Sequence, residues 1–277
     1  MLLIPIIIIV IVAIIWYKQY ENSFFKKPLN YPDLTKINHQ NKPVFIAFGD
    51  SLTQANMSAD WLSRLEKAQP DIQFFNAGMN ADLTDTLLTR IEDVVECQPQ
   101  YISLLIGNND VMATLNENRL KRYYDLGKIK QDPDFEGFKS NYLKIIQILK
   151  TQTNAKIMVA SLPPITENWE HTANIKADKY TEFIKDAAVS EGLIYIPFRE
   201  KLKSNMPYKS NQLDDYDNSV MLLRKASFKK YFLGQSWNEI AQSRHAMYLT
   251  DNIHLNDDGA KILAEMINIE LNKINAV

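Results

Sequence analysis

Val44-Phe45-Ile46-Ala47-Phe48 runs without a polar break into Gly49-Asp50-Ser51-Leu52, and that junction limits what the chain can become. A short continuous run of Val, Ile and Phe reads as a strand buried on both faces, as in the interior of a parallel sheet. Ligands of open α/β sheets collect outside the carboxyl ends of such strands, which is where Ser51 is delivered. A serine hydroxyl alone is a poor nucleophile. A reactive role for it requires a base, an acid that orients the base, and donors for an oxyanion.

The same pattern recurs downstream. Residues 72–78 read as a second strand ending in Asn76-Ala77-Gly78, and a backbone N–H at a glycine can approach a ligand closely. Residues 101–106 read as a third strand, running into Gly107-Asn108-Asn109-Asp110. An Asn109 amide at a strand's carboxyl end suits a developing oxyanion. Residues 156–161 and 193–196 complete five strands, and helical spacing covers 60–68, 84–97, 135–151 and 175–191. Strands alternating with helices indicate a parallel sheet with helices on both faces.

The base and the acid lie near the other end, in Asp251-Asn252-Ile253-His254. Apolar positions at Ile262, Leu263, Met266, Ile267 and Leu271 mark a helix whose N-cap is Asn256 or Asp257. Asp251 and His254 therefore occupy the loop just ahead of it. Within one turn the Asp251 carboxylate reaches the His254 Nδ1–H and leaves Nε2 to take the serine proton. An Asp-x-x-His pair by itself carries little weight; it gains weight beside Ser51, Gly78 and Asn109.

Taken together, these blocks resemble the SGNH, or GDSL, hydrolase family. Gly49-Asp50-Ser51-Leu52, Gly107-Asn108-Asn109-Asp110 and Asp251-Asn252-Ile253-His254 match its blocks in its order, from about Pro43 onward. One block departs: after Gly78 the family often has a second glycine three residues on, where this chain has Ala81. The resemblance implies a flavodoxin-like three-layer α/β/α sandwich around a five-stranded parallel sheet. It implies Ser51 as nucleophile, His254 as general base and then acid, and Asp251 as its orienting partner. The implied oxyanion donors are the backbone N–H of Ser51, the backbone N–H of Gly78 and the Asn109 amide. No metal and no cofactor is required by this chemistry. The implied substrate is a carboxylic ester, whether a lipid-like acyl ester, a thioester or an acetylated carbohydrate.

Composition agrees. A chain of 277 residues with 46% hydrophobic content suits about one α/β domain with a packed core. A net charge of −2 gives no electrostatic case for nucleic acid as a partner. There is no Gly-x-Gly-x-x-Gly and no Walker-type loop, which argues against a nucleotide binder. Cys97 is the single cysteine, so no intramolecular disulfide forms, and its place in a helical run favours packing over reactivity. His39 and His171 read as exposed polar residues, and His245 lacks the paired acid that His254 has.

Two segments lie outside this scheme. Residues 1–17 are apolar and uncharged, with Trp16-Tyr17 at the downstream edge, near the lower limit for a spanning helix. The lack of a basic n-region favours an uncleaved membrane anchor over a signal peptide. Residues 18–42 would then be a linker and 43–277 the hydrolase domain. Lys18, Lys26 and Lys27 bias the domain towards the cytoplasm, but three lysines leave the side open. Residues 199–248 exceed what a connection needs and read as a lid-like insertion that shapes the acyl or alcohol pocket.

Overall fold

A computed structural model describes residues 7, 11, 12, 14, 15, 17, 18, 24, 26–38, 42–206 and 219–276. Five strands form one sheet: β1 (Val44–Gly49), β2 (Gln73–Gly78), β3 (Tyr101–Leu105), β4 (Lys156–Ala160) and β5 (Ile194–Ile196). Their order is β2-β1-β3-β4-β5 and every pairing is parallel. β1 is central to the serine's placement, pairing Gly49 with Gly78 on one side and with Leu105 on the other. The ends of β1, β2 and β3 are thereby brought to one rim.

Successive side chains of a strand point to opposite faces, and the packing follows that period. Val44, Ile46 and Phe48 enter one buried cluster together with Ile102, Leu104, Ile157 and Val159. Phe45 and Ala47 enter the other, with Tyr101, Leu105, Met158 and Ala160.

The helices are α1 (Ser51–Gln54), α2 (Leu62–Ala68), α3 (Thr84–Leu88), α4 (Glu92–Val95), α5 (Asn108–Ala113), α6 (Glu117–Asp125), α7 (Phe135–Gln152) and α8 (Thr172–Glu191), followed by α9 (Phe198–Asn205), α10 (Ser219–Tyr231), α11 (Trp237–Gln242) and α12 (Asp257–Asn275). α7 and α8 cover the first face through Phe138, Tyr142, Ile145, Leu149, Tyr180 and Ile184. α2 and α12 cover the second through Leu62, Leu65, Leu263, Ile267 and Leu271. The result is the three-layer α/β/α sandwich expected.

Several boundaries differ from the sequence reading. The helix expected over 84–97 is two short helices, interrupted between Leu88 and Glu92. The interruption turns Arg90 under the sheet, where its guanidinium donates to Gly49 O at 2.7 Å and Ala77 O at 2.6 Å. Cys97 lies past the second of these, buried, and burial pushes its thiol up to about 11. α6 was not foreseen: its cavity-facing positions carry Arg119 and Arg122, and its apolar contacts with the first core come from Leu120 and Tyr123. His171 is an N-cap, its Nδ1 accepting from Ala173 N at 3.1 Å, and not a plain surface residue. His39 lies outside the described residues.

The membrane-anchor expectation for residues 1–17 falls largely outside the described residues. Among the described residues no helix is long and apolar enough to cross a membrane. The linker expected over 18–42 is, in its described part, docked on the domain. Phe24 and Tyr31 are buried in the first core, Asn76 N donates to Asn30 O at 2.9 Å, and Tyr31 Oη donates to Asp93 at 2.7 Å. A Lys-, Pro- and Asn-rich composition hid two aromatic anchors.

Candidate active site

The turn that presents Ser51 is built by its neighbours. Asp50 caps α1, its Oδ1 accepting from Leu52 N at 2.9 Å, and Ala55 stops the helix with φ 63°. A Cβ on Gly49 would meet Leu105 O and Thr53 Oγ1, each at 2.4 Å, so only glycine lets the chain turn there.

His254 reaches this serine across 203 residues of sequence: Nε2 lies 2.9 Å from Ser51 Oγ. Its Nδ1 lies 2.7 Å from Asp251 Oδ2, while Asp251 Oδ1 accepts from His254 N at 2.8 Å and Ile253 N at 3.1 Å. Burial pushes the Asp251 carboxyl up, but the His254 ring and these N–H groups outweigh it and hold the group below the usual carboxylate range. The loop is closed by Thr250 N donating to His254 O at 2.8 Å and a bridge between Leu249 and Leu255. Asn256 caps α12, its side chain accepting from Gly259 N at 2.9 Å.

Two residues that carried no motif signal support this loop. Glu167 accepts from the N–H groups of Met247, Tyr248 and Leu249 at 2.6–2.8 Å. Arg244 donates to Thr250 O at 3.0 Å and to Asn252 Oδ1 at 2.9 Å.

The expected oxyanion donors fare differently. Ser51, Ala81, Asn109 and His254 line one cavity, together with Met57, Met112, Leu223 and Ile253; Gly78 does not reach it. Gly78 N instead donates to Asn76 Oδ1 at 2.9 Å. Its lack of a side chain serves packing: a Cβ there would lie 2.1 Å from Gln54 N and 2.6 Å from Thr53 C. The Gly78 expectation is therefore corrected. Ala81, the position where this chain departs from the family, sits on the cavity wall with φ 59°. Neither its N–H nor that of Ser51 meets an acceptor among the described residues.

Asn109 is at the site, but its amide is engaged. Nδ2 donates to Asp82 O at 2.9 Å and to Asp50 Oδ2 at 3.1 Å, while Oδ1 accepts from Tyr123 Oη at 2.7 Å. The segment from Met79 to Asp82 is held from below. Asp82 is paired with Arg90 at 2.7 Å and Lys128 at 2.6 Å. It is held from the side by the docked N-terminal segment: Asn80 donates to Gln54 Oε1 at 2.5 Å and to Phe24 O at 2.8 Å.

Two carboxyls behind the site are protonation-sensitive. Burial pushes both Asp50 and Asp110 up to about 7, against the hydrogen bonds from Leu52 N to Asp50 and from Thr84 to Asp110. A folded-state value raised above the unfolded one favours folding below the unfolded value and is lost as pH climbs through the folded one. The stability these groups confer therefore falls between about pH 4 and about pH 8. Asp110→Asn, which keeps an acceptor for Thr84, should lose less melting temperature between those limits than the wild type does; thermal melts at the two pH values check this.

Among the described residues no group of three or more His, Cys, Asp or Glu side chains is placed to hold a metal ion.

The family model of the GDSL-like lipase/acylhydrolase family matches residues 47–262. The chain belongs to that family. This GDSL-family chain is an esterase or acylhydrolase, and its fold is shared with solved esterases. An acetyl xylan esterase, AlAXEase, superposes with a TM-score of 0.58 at 20% identity, over 82% of this chain and 99% of that one. A catalytic mutant of the acetylxylan esterase Axe2 from Geobacillus stearothermophilus gives 0.56 at 18% identity, over 85% and 96%. The lipase/acylhydrolase from Enterococcus faecalis gives 0.56 at 14% identity, over 83% and 95%. No curated protein matches the chain.

Proposed function

We propose that this GDSL-family esterase works by acyl transfer through Ser51. The observation that carries the reading is the relay of 2.9 Å and 2.7 Å from Ser51 Oγ through His254 to Asp251, beside a cavity that Ser51 and His254 line. His254 Nε2 takes the hydroxyl proton as Oγ bonds to the ester carbonyl carbon, and the carbonyl π pair moves onto its oxygen. Collapse of that intermediate breaks the bond to the alcohol, which leaves with the proton from Nε2. Water then repeats the sequence on the Ser51 acyl ester, releasing the carboxylic acid. Asp251 holds the ring in the tautomer this needs.

The oxyanion is received by the backbone N–H groups of Ser51 and Ala81 and by Asn109 Nδ2. The longer of the two Asn109 contacts, to Asp50, is the one an oxyanion would displace. Burial drives Asp50 towards its neutral form and weakens its claim on that hydrogen.

The walls supplied by Met57, Met112, Val220, Leu223 and Ile253 support an acyl ester of lipid type, and Val220 and Leu223 come from the 199–248 insertion. The apolar run of residues 1–17 fits an enzyme held near acyl lipids. A second reading, O-deacetylation of carbohydrate, is favoured by the acetylxylan esterases among the fold's neighbours.

Hydrolysis of p-nitrophenyl esters of graded chain length by the full chain tests both. A medium or long optimum supports the acyl-lipid reading, and activity on acetyl alone supports deacetylation. Inertness across the series, matched by Ser51→Ala, would leave a non-catalytic binding module on this fold as the better account.

A further inference from the structure

Phe24 lies ahead of β1, in a stretch whose composition reads as linker, yet it lines the cavity that Ser51 and His254 line. It is only 7% exposed and belongs to the first core. Its side chain therefore joins the packed interior to the wall of the reaction cavity.

The backbone around Phe24 is tied to the site itself. Phe24 O accepts from Asn80 Nδ2 at 2.8 Å, and Lys26 O accepts from Gln54 Nε2 at 2.8 Å. Gln54 ends the helix α1 that Ser51 begins, and Asn80 precedes Ala81 on the cavity wall. Gln54 Oε1 accepts in turn from Asn80 N at 2.5 Å, which closes the circuit. The distance from the Phe24 ring to the reacting atoms is thus set by the elements that carry those atoms. These bonds run to main-chain carbonyls, so the ring can be exchanged while the tethers stay.

An apolar pocket favours a longer chain by about fourfold in kcat/KM per methylene, until the chain meets a wall. A wall at protein packing density does not yield a methylene without strain. Met57 and Met112 in the same lining are flexible thioethers that adapt to what they touch. The Phe24 ring is a rigid plate on a tethered backbone. It is suited to be the stop.

We propose that Phe24 is a specificity-determining residue: its ring ends the space open to the ester's apolar chain and so sets the longest chain the cavity accepts. This rests on the serine-esterase reading above and applies to either of its substrate classes. An enzyme confined to acetyl esters would owe that limit to the same ring.

The test runs the full chain, Phe24→Ala, Phe24→Leu and Phe24→Trp against two ester series. One is p-nitrophenyl esters of lengthening acyl chain; the other is n-alkyl esters of the acid that the first series prefers. Each kcat/KM is divided by that of a short reference ester with the same variant, so a uniform loss cancels. Phe24→Ala should move the optimum of one series about two carbons longer, raising the ratio for that longer ester by about tenfold or more. Phe24→Leu should move it the same way by less, and Phe24→Trp should move it shorter. The series that moves assigns the ring to the acyl or the alcohol chain. Should Phe24→Ala not fold, Phe24→Leu carries the test, because it keeps an apolar side chain in the core. Rates that fall uniformly, with the wild-type optimum kept in both series, would mean that Phe24 only packs the core. That result overturns the inference and spares the esterase reading. Absence of Ser51-dependent cleavage across both series overturns both.

Discussion

Ser51→Ala should give a folded protein whose ester turnover has fallen by about 10⁴-fold or more. The two halves of that statement rest on different observations. The hydroxyl's described partner is His254 Nε2, at the edge of a cavity, so its removal leaves no stranded group inside the core. The cost in stability should stay within about 1 kcal/mol. On the proposed mechanism turnover depends on the same atom entirely, because among the described residues that line the cavity no other nucleophilic side chain is placed against His254 Nε2. Melting curves of the variant and wild type should nearly coincide while the rates do not. A melting temperature that falls together with activity would mean the serine holds the turn and has no chemical role.

The second large effect falls on Gly78, and it is structural. Gly78→Ala places a Cβ against backbone atoms of Thr53 and Gln54, which cannot yield without moving α1 and Ser51 with it. We expect a loss of about 3 kcal/mol, at the upper end for overpacking, and activity lost with it. At this chain length that corresponds to a fall of roughly 6–12 °C in melting temperature. Ala81→Gly should be mild in contrast. A non-glycine residue in the left-handed region costs roughly 1–2 kcal/mol, so glycine relieves strain at φ 59° while keeping the N–H assigned to the oxyanion. Stability and turnover should both stay near wild type. If Gly78→Ala melted normally and lost only turnover, the assignment of donors to Ala81 in place of Gly78 would be wrong.

That exchange of roles marks where the sequence stops being informative. The strand ahead of Ser51 was legible because burial on both faces leaves an unbroken apolar run, and Val44 to Phe48 alternate between two cores without a polar residue in either. Ser51, Asp251 and His254 were legible as candidates because the chemistry proposed for them needs those side-chain types in a short, ordered pattern. A backbone donor has no such type. Which N–H faces the cavity is decided by the Asn76 side chain capturing that of Gly78, and by the sign of φ at Ala81. Asn109 lines the cavity with Ser51 and His254, but its bonds to Asp50 and Asp82 were hidden. Asn109→Ala would therefore disturb the loop as well as the chemistry.

The supports of the site were invisible for a related reason. Arg90 in a helical run reads as an ordinary surface position, yet it breaks the helix and ties the ends of β1 and β2 to Asp82. Glu167 and the docked Phe24 likewise act through contacts distant in sequence. Arginines at the cavity-facing positions of α6 obscured a helix whose Leu120 and Tyr123 pack on the first core.

The most direct measurement is to treat the full chain with a fluorophosphonate and locate the adduct by peptide mass spectrometry. The account predicts one modified residue, Ser51, with loss of esterase activity in proportion to labelling and far slower labelling in His254→Ala. Esterase activity that survives complete labelling of Ser51, or an adduct that forms elsewhere while Ser51 stays unmodified, would contradict it.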